Sequence, residues 1–310
     1  MRRIDPVQGL TLIFLIGLSL LTLIFRDQIP LWRSLLFRYA IFLGLLFALK
    51  LSSDGKRLET KKEKRTIRDV WAGKAGTFFQ SFSPILFVIL IYESLGDLIQ
   101  HLHPDIDPRL IGIDFSIFGV HPTLWMERWI VPWLTDLLSL AYISYYFIPV
   151  ALIVVLYAKN RKPEFDESIF ILALGYYVSF IGYILFPAIG PRYTMAHLYS
   201  VPLEGSFITD FVRDVLNALE HNKRDCMPSG HTQIVLIVLY LAHRYEKSLF
   251  SILFPIICGL ILSTVYLRYH YVIDLLIGAS VAVGCMILGP RLYRWWNKGS
   301  INPGASESRD

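Results

Sequence analysis

The stretch PSGHTQIVLIVLYLAHRYEKSLFSILFPIICGLILSTVYLRYHYVIDLLIGASVAVGCMILG, residues 228–289, decides the fold. It contains three apolar runs, 231–246, 248–266 and 271–289, with only a few polar residues between them. Each approaches the roughly 20 residues that cross a hydrocarbon core of about 30 Å at 1.5 Å per residue. Towards the N-terminus the pattern repeats at 8–25, 34–50, 78–96, 133–157 and 168–187, so eight spans are expected. Composition agrees: 54% of the 310 residues are hydrophobic, 18% are charged, and the mean hydropathy is +0.49. This is too apolar for an ordinary soluble domain, and no long polar tract, Gly-X-Y period or sustained heptad points to disorder, collagen or a coiled coil. The expected fold class is therefore all-α, a polytopic membrane helix bundle.

Charge sets the expected orientation. With both termini inside, 20 of the 30 Lys and Arg residues are cytoplasmic, nine of them between Lys50 and Lys74, as the positive-inside bias requires. The net charge of +5 reflects this cluster, whose partner is anionic lipid rather than nucleic acid, with Lys56 to Arg68 as a cytoplasmic loop. Phe25-Arg26-Asp27 is not a small-residue cleavage site, so the first apolar run is expected to be a retained helix. The organisation expected is 1–76 as two spans with a basic loop, 77–290 as a catalytic membrane domain and 291–310 as a cytoplasmic tail. Cys226, Cys258 and Cys285 have no metal-ligand spacing and imply no disulfide framework. His101, His103 and His121 likewise lack an accompanying ligand set and are read as interfacial.

Two longer segments face the other side. Residues 97–131 mix Phe, Trp and Ile with scattered charges, as an interfacial or re-entrant segment does. Residues 188–230 begin with Gly190-Pro191-Arg192-Tyr193 and end in Pro228-Ser229-Gly230 before His231. Ser229 and Gly230 open the sixth expected span, where orphan N–H groups and the helix dipole attract an anion such as phosphate. The helix from there descends, the next one returns, and His231 and His270 reach the same membrane face. His270 and Asp274, spaced i to i+4, share one side of a helix, so the carboxylate can orient the imidazole as a nucleophile.

Pro228-Ser229-Gly230-His231 followed by STVYLRYHYVID at 263–274 resembles the second and third signature motifs of the type 2 phosphatidic acid phosphatase (PAP2) and vanadium haloperoxidase superfamily. The resemblance covers roughly residues 105–289 and implies a six-helix core, with the first two spans as an extension. It implies His270 as the nucleophile, Asp274 as its orienting carboxylate, His231 as the acid that protonates the leaving oxygen, and Ser229 and Gly230 at the phosphate. The usual third-motif arginine is replaced by Thr264, and the usual first-motif lysine by Leu185. With FPAIGPRY at 186–193 and FGVHPTLW at 118–125, these departures resemble the inositol-phosphorylceramide-synthase-like branch.

The expected activity is an integral-membrane lipid phosphotransferase that moves a phosphoryl or phospho-headgroup unit through a phosphohistidine, with no cofactor and no metal. Arg192 and Arg268 are the expected phosphate holders, and Arg213, Lys223 and Arg224 lie in the same outer segment. A phosphodiester carries one negative charge and a monoester near neutral pH close to two, so the missing lysine favours a diester. The expected partners are a phospholipid or lipid phosphate, a lipid alcohol acceptor and the bilayer itself, with the site on the non-cytoplasmic face. Two alternatives stay open: a lipid phosphate phosphatase, and a transporter or silent scaffold.

Overall fold

The computed structural model describes residues 4–59, 67–219 and 222–298. Among these residues the chain is helical and contains no strand. It is an all-α polytopic membrane protein: among the described residues six helices are long and apolar enough to cross a bilayer, at Pro6–Ile24, Trp32–Ser52, Gly76–Ile99, Lys162–Leu185, Lys247–Tyr266 and Val272–Lys298.

The chain divides into two compact units, residues 1–98 with 294–310, and residues 99–293. The first holds α1 (Pro6–Ile24), α2 (Trp32–Glu59) and nearly all of α3 (Ile67–Ile99). Asp5 caps α1 by accepting the Val7 N–H at 3.0 Å, and Pro6 occupies a position where its missing N–H costs nothing. Leu15, Leu35, Tyr39, Ile91 and Leu95 form the buried side of these helices. Arg38 pairs with Asp97 at 2.7 Å within the unit. The expected basic loop, Lys56 to Arg68, lies largely outside the described residues.

The second unit comprises α4 (Asp107–Phe118), α5 (Pro122–Trp125), α6 (Pro132–Ile143), α7 (Ile148–Ala158), α8 (Lys162–Leu185), α9 (Pro191–Thr194), α10 (Thr209–Leu219), α11 (Gly230–Tyr245), α12 (Lys247–Tyr266) and most of α13 (Val272–Lys298). Its centre is α11, packed on α7, α8 and α12. Ile234, Val235, Ile237, Val238, Leu241 and Ala242 are wholly buried along it.

Two of the eight expected spans come out differently. The expected continuous span 133–157 is bent by 50° between α6 and α7. Pro149 accounts for the break, because its ring clashes with the carbonyl four residues back and it donates no N–H; a 3₁₀ turn at Ser144–Tyr146 carries the bend. The expected span 231–246 is a 16-residue helix, about 24 Å long. It is shorter than the roughly 20 residues of a lone spanning helix, and its neighbours cover its apolar side. The last helix continues past Pro290 to Lys298.

The segment 99–131 is ordered rather than loose. In α4, Asp107 and Asp114 are seven residues apart on one face and both are buried. Asp107 accepts the N–H groups of Ile189 and Gly190 at 3.0 and 2.8 Å and the Tyr271 hydroxyl at 2.8 Å. Asp114 accepts the N–H groups of Val272 and Ile273 at 2.8 and 2.9 Å, the orphan donors at the start of α13. Elsewhere on α4, Ile113, Phe115, Ile117 and Phe118 are exposed. A third carboxylate, Asp136 in α6, gathers the N–H groups of Ser206, Phe207, Ile208 and Thr209 between 2.8 and 3.1 Å and starts α10.

Candidate active site

The turn before α11 and the turn before α13 meet, because Ser229 N–H donates to the Asp274 carbonyl at 3.1 Å. Ser229 is the N-cap of α11: its hydroxyl accepts the Thr232 N–H at 3.3 Å and donates to the Thr232 hydroxyl at 3.1 Å. Gly230 sits where a Cβ would lie 2.1 Å from the Tyr183 hydroxyl, so the close approach of α8 requires glycine here. The second turn is closed by the Thr264 carbonyl, which accepts the N–H groups of Tyr269 and His270 at 2.9 and 3.0 Å. Arg268 takes a left-handed φ of 66° to make that turn.

These turns bring the two histidines together across 39 residues, with His270 Nε2 3.3 Å from His231 Nδ1. His270 Nδ1 lies 3.0 Å from the Cys226 carbonyl. A carbonyl only accepts, so Nδ1 carries the proton and Nε2 presents its lone pair to His231. Asp274 is wholly buried, with Oδ2 3.6 Å from His270 Nδ1, longer than a hydrogen bond. That oxygen accepts the Tyr271 N–H at 3.0 Å and the Cys226 thiol at 2.8 Å, while Oδ1 is buried with no partner. The orienting group in closest contact with His270 is thus a backbone carbonyl, which spacing along the chain does not reveal. Burial pushes the Cys226 thiol pKa well up, and the Asp274 carboxylate adds to the rise.

A cavity of about 330 Å³ opens onto this pair, lined by Arg192, Lys223, Asp225, Cys226, His231 and His270 among others. Arg192 is carried there by Gly190, whose φ of 90° suits glycine and whose N–H is held by Asp107. Its guanidinium donates to the Tyr269 hydroxyl at 2.6 Å. Tyr142 stacks between the rings of His231 and Tyr269, at 4.7 and 4.4 Å.

The expected phosphate holders therefore separate. Arg192 faces the cavity, as does Lys223. Ser229 and Gly230 are buried beside the histidines, outside the cavity lining, with the Ser229 hydroxyl engaged in the helix cap. Arg268 lines an adjoining cavity of about 520 Å³, bounded also by Arg192 and Tyr269. It is buried, bonded to Glu127 at 2.9 Å and to the Val201 carbonyl at 2.6 Å, and stacked 3.8 Å from the centre of the Tyr199 ring. Arg224 pairs with Asp105 at 2.7 Å and Arg213 with Asp210 at 3.1 Å. Among the described residues, His101, His103 and His121 form no cluster at ligand distance.

Comparison with known proteins identifies the family of this region. A family model described as PAP2 superfamily matches residues 109–288, more than half of the chain and wholly inside the second unit. A PA-phosphatase related-family protein of Dictyostelium discoideum is 26% identical over 181 residues, a match covering 50% of this chain and 32% of the relative. The chain thus spans about a third of that relative's length. No solved structure matches it. With the paired histidines and Asp274 standing inside the matched region, this chain belongs to the PAP2 superfamily.

Proposed function

We propose that the protein is a lipid phosphotransferase that moves a phospho-headgroup or phosphoryl unit through a phosphohistidine on His270, in the manner of the inositol-phosphorylceramide-synthase-like branch. The observation that carries this reading is the His270 imidazole, with its Nδ1 proton held by the Cys226 carbonyl and its Nε2 beside His231 at the cavity. Nε2 attacks phosphorus, the ester P–O bond breaks, and the leaving oxygen takes a proton from His231 Nδ1. An acceptor hydroxyl then attacks phosphorus, the N–P bond breaks, and the acceptor's proton passes to His231. In-line displacement puts phosphorus between the nucleophile and the leaving oxygen. The two rings at 3.3 Å must therefore part as the phosphate arrives.

The charge around the cavity supports a diester. Two cations, Arg192 and Lys223, are offset there by Asp225, which suits one negative charge better than two. A lipid alcohol is the acceptor on this reading, and the site lies on the non-cytoplasmic face. A second reading, a lipid phosphate phosphatase with water as acceptor, is favoured by the likeness to the PA-phosphatase related-family protein of Dictyostelium. A paired assay separates the two: phosphatidic acid against a diester such as phosphatidylinositol, each with and without a lipid alcohol. The expected outcome is new phospholipid from the diester and little inorganic phosphate. Phosphatidic acid as the better substrate, with inorganic phosphate as the main product, overturns the transferase in favour of the phosphatase.

A further inference from the structure

We infer that Cys226, His270 and Asp274 form an inhibitory site for a soft divalent cation of the Zn²⁺ class. Cys226 Sγ, His270 Nδ1 and an Asp274 carboxylate oxygen lie within 4.8 Å of one another, and all three residues are buried. The separations are 3.5 Å from sulfur to Nδ1, 3.6 Å from Nδ1 to Oδ2 and 2.8 Å from sulfur to Oδ2. Tetrahedral zinc with a thiolate, an imidazole and a carboxylate holds such atoms roughly 3.3–3.6 Å apart. Two of the three edges already match. The third is the hydrogen bond that the Cys226 thiol donates to Oδ2, and it must lengthen to about 3.5 Å when thiolate and carboxylate both bind the ion.

The Asp274 carboxylate also has spare acceptor capacity. Asp274 Oδ1 is buried with no hydrogen-bond partner, leaving a carboxylate oxygen unsatisfied inside the protein. The cavity of about 330 Å³ reaches both Cys226 and His270, giving the ion a path and water for a fourth position. The Cys226 thiol donates its proton to Oδ2 at 2.8 Å, so a bound ion must expel that proton. Zn²⁺, Co²⁺ and Cd²⁺ gain enough from thiolate and imidazole to do so, whereas Mg²⁺ and Ca²⁺, which seek oxygen, do not.

Binding silences the nucleophile through its tautomer. The ion takes the Nδ1 lone pair, so the single proton of the neutral ring moves to Nε2 and the lone pair that attacks phosphorus disappears. One proton, from Cys226, leaves to solvent for each ion bound. This consequence rests on His270 being the nucleophile proposed above; the binding itself does not.

The test uses the full chain purified in detergent and titrated with Co²⁺, then Zn²⁺. About one Co²⁺ per chain should bind and give thiolate-to-cobalt charge-transfer absorption, which Zn²⁺ abolishes by displacement. A chain with Cys258→Ser and Cys285→Ser should keep the band, and Cys226→Ala should lose it. Cys226→Ser, which retains a hydrogen-bond donor to Asp274, should lose it too and covers the case in which the alanine variant does not fold. His270→Ala should weaken binding at least about tenfold, since loss even of an outer-shell partner costs 10- to 100-fold. In the lipid assay, Zn²⁺ should inhibit reversibly to added chelator, with the half-inhibitory concentration at least about tenfold higher in Cys226→Ser. No charge-transfer band in the wild-type chain, or one that survives loss of Cys226, overturns the site. A band that follows Cys226 in a chain inert towards every lipid overturns the proposed function and leaves the site standing.

Discussion

His270 and Arg268 are two residues apart and do different work. The left-handed turn at Arg268 directs its guanidinium to Glu127 and Val201, while His270 meets His231 and Cys226. Replacing His270 by Ala should abolish turnover, and Asp274→Asn should lower the rate by roughly a hundredfold or more in a folded protein. Single-turnover trapping of phosphoprotein checks the first, kcat the second. Loss of His231 should hurt substrates with poor leaving groups most, because acidic leaving groups need less protonation; equal losses across a leaving-group series would remove it from the acid role. The arginines should split by readout. Arg192→Ala is expected to cost about 3 kcal/mol in kcat/KM with a small change in Tm. Arg268→Ala takes the cation from Glu127, whose side chain is 12% exposed against 8% for Arg268, while the Ser200 and Val201 hydrogen bonds to it remain, and is expected to cost about 3 kcal/mol of stability. A thermal melt beside the kinetics decides; an Arg268→Ala variant with unchanged Tm and a lowered kcat/KM would restore the direct phosphate role.

α4 unites the two halves of the site, because its two buried carboxylates hold the turn before Arg192 and the first turn of α13. Burial raises the Asp114 pKa, and the two N–H groups it accepts pull the other way, so the ionised form depends on those bonds. Asp114→Ala leaves the Val272 and Ile273 N–H groups without their acceptor, at about 1–3 kcal/mol each. Because these residues directly follow His270, kcat should fall together with Tm, and Asn, with one carbonyl acceptor, should recover part of both. Hydrogen exchange at residues 272–273 should rise in the alanine variant; unchanged protection there would detach α4 from the catalytic turn. None of this is legible from the sequence of 97–131, where the aromatic residues suggest an interfacial segment and the acids read as scattered charges. The bend between α6 and α7 was hidden for the same kind of reason: mean hydropathy over 133–157 is insensitive to the one proline that breaks the helix.

For the molecule in its membrane, the Lys/Arg bias predicts cytoplasmic termini and an active site on the opposite face. A cysteine introduced at Ser206 should react with an impermeant maleimide from outside in intact cells. Labelling only from the cytoplasmic side would reverse the orientation. The all-α membrane class could be read directly, because hydropathy and helical period are properties of contiguous residues. The i, i+4 spacing brings His270 and Asp274 near one another but not onto one helix: α13 begins at Val272, so His270 stands in the turn before it, 3.6 Å from the carboxylate and beyond hydrogen-bond distance. What required the tertiary structure is everything joined across long stretches of chain: the Cys226 carbonyl on His270, 44 residues away, and Asp107 and Asp114 reaching 83 and 158 residues to hold the turns beside Arg192 and His270. It also required the packing that makes a 16-residue helix the buried centre of a unit and turns Arg268 from His270 towards Glu127. Local periodicity says which side a residue faces. Only the packing of one helix on another decides which distant group meets it there, because buried polar atoms must find their partners within the fold.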